Sequence, residues 1–173
     1  NWLENLDPDR MPYQAERPVW RRERDGYCWA GCPSGMDNTP RGCDDWNGLL
    51  WFDAVAQQGL AARSIAELAA LIGNEPLKRK FQREFEQKTE LLQRYWDPET
   101  GAFQDRRDGA FCRVLTPAIF WPLAANMATA EQARQIVAHL TNPEELGGTC
   151  PCPTVSRNDP AFTPTGSYWR GAV

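Results

Sequence analysis

The chain has 173 residues, 42% of them hydrophobic and 24% charged, and a formal net charge of −4 with its Lys and Arg scattered. That length sustains one domain with a real core, and the lack of a basic stripe argues against a nucleic-acid partner. The longest apolar stretch, residues 115–128, is broken by Pro117, Pro122 and Asn126 and is too short to span a bilayer, so no membrane partner is expected. No charged n-region leads into an apolar run, so no secretion signal is read.

Residues 1–43 are rich in Pro, Gly, Arg and aromatics without a sustained period, and read as one irregular, loop-rich segment. Residues 44–173 read as helical hairpins joined by long loops. Asp44 and Asp45 are placed to cap a helix start, because carboxylates satisfy the free N–H groups there. Leu49, Phe52, Ala56, Leu60, Ile65, Leu68 and Leu71 then recur at helical spacing, with Gly59 or Ser64 as a break into two pieces. Gly73-Asn74 is a stop signal, and Pro76 suits the first turn of a second helix over 76–95. Residues 97–101 form a turn by composition, and 102–114 are short and extended. Two further helices are expected over 116–127 and 129–140, the second opened by a Thr129/Gln132 capping box. Residues 141–168 form another long loop. The chain begins at Asn1 and stops at Val173 after an aromatic-rich run, and so reads as a piece of a longer polypeptide.

Six cysteines (Cys28, Cys32, Cys43, Cys112, Cys150 and Cys152) have spacings unlike the paired C-x2-C of common zinc sites. Free or half-buried thiols, one disulfide and a metal site all stay open, with the thiol reading preferred and no metal or other cofactor assigned. Localisation also stays open, with a lean to the cytoplasm.

The densest chemical signal is Ser34-Gly35-Met36-Asp37-Asn38-Thr39-Pro40-Arg41. Gly35 admits unusual backbone angles, and Asp37 stands on a constrained loop in a sequence that also holds Trp29 and Trp46. A carboxyl group desolvated among aromatics gains the raised pKa of a usable general acid. The same residues also suit a plain turn, or a cap on a helix begun by Pro40. His139, the single histidine, falls near a helix C-terminus, where a surface position compatible with the dipole is expected; histidine-dependent nucleophilic catalysis is disfavoured.

The motif 34–41 closely resembles the one that holds the general acid in glycoside hydrolase family 63 and its mannosylglycerate-hydrolase-like relatives; trehalases carry a looser version. Further segments resemble the family in the same order: 96–97, 103–105, 115–123, 153–157, 159–162 and 166–171. The resemblance implies an all-α chain, part of an (α/α)6 barrel, whose pit binds a sugar and hydrolyses it with inversion. It implies Asp37 as the acid and a partner base, usually Glu, C-terminal to Tyr168-Trp169-Arg170-Gly171 and so outside this chain. Sugars offer apolar faces and a rim of hydroxyls, so a pit needs flat aromatics and planar donors. Trp29, Trp46, Trp121, Tyr168 and Trp169 meet the first need, and Arg41, Arg157 and Arg170 the second. Asp105 and Asp159 are read as loop-forming more than sugar-binding.

One departure is Cys32-Pro33, where relatives often have Glu before the Ser of the motif; it bears on substrate orientation near the acid. The substrate implied is an α-linked glucoside, mannoside or small disaccharide-like solute. The alternative is a non-catalytic carbohydrate-binding or structural helical module, and a different helical toroid such as an isoprenoid cyclase is a distant third. Half a toroid would expose apolar faces meant for missing neighbours, so a homo-oligomer burying that face is expected.

Overall fold

The computed structural model describes residues 20–29, 39–41, 49–149 and 151–164, with Trp20, Arg21 and Trp29 described by backbone alone. The described part is built on two long antiparallel helices. Helix α1 spans Phe52–Leu71 and α2 spans Glu75–Gln93. The connection is short, residues 72–74. Gly73 takes a positive φ of 70°, its N–H donates to the Ala70 carbonyl at 3.1 Å, and the Asn74 N–H donates to that of Ala69 at 2.8 Å. This six-to-one and five-to-two pattern closes α1. Asn74 then caps α2 by accepting from the Leu77 N–H at 3.1 Å, and Pro76 sits in the first turn, where no N–H is needed.

The two helices meet through small residues. Ala62 and Ala66 of α1 form a buried cluster with Phe81 of α2, flanked by Ile65, Leu77 and Phe85. Leu68 and Leu71, which periodicity assigns to the core, are instead 61% and 83% exposed, because the alanine stripe rather than the leucine stripe faces α2. Gly59 and Ser64 do not break α1. A Cβ on Gly59 would lie 2.4 Å from the Met127 Sδ, so this glycine is a site of close approach and the helix runs through it.

Among the described residues, three two-stranded antiparallel ribbons decorate the helices, two of them drawing on the stretch 102–114 that is expected to be extended. Strands β1 (Trp20–Glu23) and β2 (Gly26–Trp29) pair within the segment expected to be irregular. Strands β3 (Trp96–Asp97) and β4 (Ala102–Phe103) flank the expected turn. Strands β5 (Asp105–Arg107) and β6 (Ala110–Cys112) are joined by Asp108-Gly109, both at positive φ, as a two-residue hairpin requires.

The expected helix over 116–127 divides into a 3-10 turn, Pro117–Phe120, and a short helix α3, Trp121–Ala124. Helix α4 spans Ala130–Thr141 and opens with the expected Thr129/Gln132 capping box. The principal core gathers Tyr27, Trp51, Phe52, Val55, Leu92, Tyr95, Phe103, Ile119, Ile136 and Leu146, uniting both long helices with the loops after β6 and α4. His139 does not stand out on the surface. Its side chain is 16% exposed, and its ring nitrogens meet the Glu145 carboxylate at 2.8 Å and the Thr100 carbonyl at 2.9 Å, tying α4 to the β3–β4 turn. No described helix is long and apolar enough to cross a membrane.

Candidate active site

The start of α1 is where Arg41, the last residue of the 34–41 motif, meets the scaffold. Asp44 and Asp45 lie outside the described residues, and the helix begins later than they suggest, at Phe52, with Trp51 as an extended N-cap that offers no side-chain bond. Leu49 precedes the helix, and Leu50 bridges to Arg106, their backbones exchanging hydrogen bonds of 2.8 and 3.0 Å. The Trp51 N–H donates to the Tyr27 carbonyl at 2.9 Å. Segment 49–51 is thus held between β2 and β5.

The helix cap comes from far along the chain. Asp105, first residue of β5, accepts the Phe52 N–H on Oδ1 at 3.2 Å, and Asp53 accepts the Ala54 N–H on its own Oδ1 at 3.0 Å. Between these two carboxylates lies the guanidinium of Arg41. Its Nε and Nη2 donate to Asp105 at 2.7 and 2.8 Å; its Nη1 and Nη2 donate to Asp53 at 2.9 and 3.1 Å. The guanidinium carbon sits 4.5 Å from the centre of the Trp51 ring and 5.0 Å from that of Phe52. All three charged side chains are at most 2% exposed.

One cation is shared by two buried carboxyl groups. Burial works against the charge on Arg41, but Asp105 and Asp53 outweigh it and push its pKa further up, so it is a permanent cation. Burial, helped by the charge of Asp53, pushes Asp105 upward against the pull of Arg41. The positive end of α1 lies against these two side chains, with the Phe52 and Ala54 N–H groups donating to them. Nearby, burial and the charge of Asp105 raise the Tyr95 hydroxyl, keeping it a neutral donor; it donates to the Asp25 carbonyl and fixes the β1–β2 turn.

The other anticipated site residues are spread along the fold. Trp121 opens α3 and is 39% exposed. Arg157 braces the long loop: its Nη1 donates to the carbonyls of Glu145, at 3.1 Å, and Gly147. Asp159 forms a turn, its Oδ1 accepting from the Ala161 N–H at 2.8 Å, in line with the loop reading. Cys112 and Cys152 are thiols outside any disulfide, as is the buried Cys28. Asp37, Trp46, Tyr168, Trp169, Arg170 and the side chain of Trp29 lie outside the described residues. Arg41 is the correction. The sequence reading offers its donors to sugar hydroxyls, whereas all three of its nitrogens are committed to carboxylates.

Residues 18–173 match the family of mannosylglycerate hydrolase MGH1-like glycoside hydrolase domains. The chain belongs to that family. Among solved structures, the MGH1-like domain aligns with a sialidase at a TM-score of 0.77 and 16% identity, over 88% of this chain and 15% of the sialidase. A GH63 mannosylglycerate hydrolase from Thermus thermophilus, in complex with Tris, aligns at 0.62 and 24% identity, over 71% of this chain and 29% of that one. The structure of a GH63 mannosylglycerate hydrolase from the same organism in complex with glucose aligns at 0.61 and 24% identity, over 71% of this chain and 31% of its own. These likenesses speak for a helical glycosidase fold, of which this chain spans less than a third in each. No curated protein matches the sequence.

Two residues of the MGH1-like domain that sequence reasoning did not assign to the site are Asp53 and Asp105 in their clamping role. Asp53 stands 12 positions from Arg41 and Asp105 stands 64 positions away, so no local spacing marks them as partners.

Proposed function

We propose that this domain is the acid-bearing part of an inverting glycosidase built on an (α/α)6 barrel, with Asp37 as the general acid. The observation that carries the reading is the family match across residues 18–173, which includes the whole 34–41 motif. In the reaction, the Asp37 carboxyl gives its proton to the glycosidic oxygen as the bond from that oxygen to the anomeric carbon breaks. Water forms the new bond to carbon from the opposite face and loses a proton to a second carboxylate. Inversion needs those carboxyl groups roughly 6.5–9.5 Å apart, leaving space for the water. The resemblance puts the base beyond Gly171. Trp29, Trp46, Trp121, Tyr168 and Trp169 supply stacking faces for the sugar, while Arg157 and Arg170 supply donors. The likeness to a mannosylglycerate hydrolase supports an α-linked mannoside, glucoside or small disaccharide-like solute as substrate.

The test is sugar release by the polypeptide carrying this domain, against α-glucosides, α-mannosides, trehalose and mannosylglycerate, beside Asp37→Asn. General-acid assistance contributes about 10²–10⁴-fold, so turnover should fall by at least a hundredfold in the variant. An Asp37→Asn protein as active as the parent would end the assignment.

A further inference from the structure

The Arg41 clamp is more elaborate than a turn needs. An exposed loop would be closed by its own backbone bonds. Here an arginine takes four hydrogen bonds to two carboxylates on different elements, beneath two aromatic rings, in a place closed to water. Thr39, two residues earlier, is also buried at 1% exposure. The chain reaches at most about 7 Å in the two residues from Thr39 back to Asp37. A rigid anchor at 39–41 therefore limits where the Asp37 carboxyl can travel.

We propose that Arg41, Asp53 and Asp105 are positioning residues for the general acid: the doubly bidentate clamp fixes Arg41, the C-terminal residue of the 34–41 motif, to the start of α1 and to β5. The proposal rests on the reading of Asp37 as that acid. Its physical basis is geometric. A planar guanidinium held bidentately by each of two carboxylates resists both rotation and sliding, whereas a lysine ammonium makes a point contact that permits both. Catalytic groups also lose rate steeply with displacement; a misplacement of 1 Å lowers turnover by about 10²-fold. The partners Asp53 and Asp105 are themselves locked, the first by the Ala54 N–H and the second by the Phe52 N–H and by its place on β5. Arg41 thus inherits the rigidity of the helix and the hairpin together.

The clamp makes a prediction that fold support alone does not. Proton donation matters when the departing group is a poorly acidic alcohol and matters little when it is fluoride, which leaves without a carboxyl proton. The experiment compares kcat/KM for α-glucosyl and α-mannosyl fluorides with that for the matching alkyl glycosides, in the polypeptide carrying this domain. It uses Asp37→Asn, Arg41→Lys, Asp53→Asn and Asp105→Asn. Because both substrates are read on one sample, a loss of folded protein cancels in the ratio of the two constants.

For Arg41→Lys and the two Asp→Asn clamp variants, the glycoside-to-fluoride ratio should fall by about a hundredfold, in the same direction as for Asp37→Asn. A normal ratio in the three clamp variants beside a collapsed ratio in Asp37→Asn overturns the clamp and leaves the acid in place. A normal ratio in Asp37→Asn overturns the acid assignment itself, and the clamp's purpose with it.

Discussion

Replacing Arg41 by Met removes the cation that both buried carboxylates bind. The four hydrogen bonds of 2.7–3.1 Å disappear together, and Asp53 and Asp105, at 0% and 2% side-chain exposure, are left facing one another. Breaking a buried pair by removing one partner destabilises by about 3–5 kcal/mol, because the charge left behind has neither water nor counter-ion. Met fills a similar volume, so little of that loss comes from a cavity. The sign of the pH dependence follows. Without the pull of Arg41, burial and the charge of Asp53 hold Asp105 further above its unfolded value in the folded state, so folding draws in protons. The variant should therefore regain stability as the pH falls from about 8 toward about 5, and its deficit against the parent should narrow over that window. Urea denaturation followed by tryptophan fluorescence at several pH values measures it. A deficit below about 1 kcal/mol, or one that does not change with pH, would refute the clamp as a buried ion-pair cluster.

Gly26→Ala should destabilise by about 2–4 kcal/mol in the same assay, since the new Cβ would stand 2.0 Å from the Tyr95 hydroxyl and displace its bond to Asp25; a neutral result would mean the β1–β2 turn is not packed there. Thr129→Ala should lose about 1 kcal/mol through the capping box of α4, and a change under about 0.3 kcal/mol would remove the box from the account. The fully buried amide of Gln58 has no hydrogen-bond partner among the described residues, so Gln58→Met should be neutral or stabilising by about 1–3 kcal/mol; marked destabilisation would mean that ordered water or a ligand satisfies it. Hydrogen bonds from Arg113 and the Glu99 N–H outweigh burial and hold Asp97 below its ordinary carboxylate value. Its stabilisation is present at neutral pH and is lost as the pH falls through the acidic range, so Asp97→Asn should flatten the acid limb of a thermal-melting profile. The exposed Leu68, Leu71 and Ile72 should support self-association of the isolated chain at micromolar concentration; a monomer by light scattering would count against it.

What the sequence discloses about this domain is what local chemistry decides. The helix pair is legible because Gly73-Asn74 and Pro76 are a stop and a start whatever surrounds them, and the structure puts the boundary at those residues. The capping box is legible for the same reason. The start of α1 is not, because its cap is a carboxylate 53 positions away, and Asp44-Asp45 offers a nearer local signal. Periodicity selects a helix but not which face it buries: leucines and alanines both recur at helical spacing, and the alanines win because they let α2 approach closely. The hairpin of β1 and β2 is four residues a side, with charged residues filling most of β1, and so it shows no alternation to read. Within the site, the motif announces a carboxyl group. It does not announce what holds the loop.

That last asymmetry has a physical origin. Arginine beside a catalytic motif in a sugar enzyme suggests donors for hydroxyls, and the sequence reading assigns Arg41 to them. Substrate hydroxyls are neutral acceptors, and a guanidinium offered to them must stay accessible to water when the site is empty. A carboxylate pair is a much better partner once water is excluded, because charge-assisted hydrogen bonds are roughly twice as strong as neutral ones. Such a pair becomes available to Arg41 only when α1 and β5 are assembled side by side. The choice between touching the sugar and holding the loop is therefore made by tertiary structure. Under the proposed function, that choice leaves sugar recognition to the aromatics and to the arginines at 157 and 170. Arg157 already spends one nitrogen on the carbonyls of Glu145 and Gly147. Removing it should consequently disturb the 141–164 loop as well as any sugar contact. An Arg157→Lys variant should therefore raise KM and lower the melting temperature together, whereas Arg41→Lys should lower kcat on poor leaving groups while leaving KM close to that of the parent.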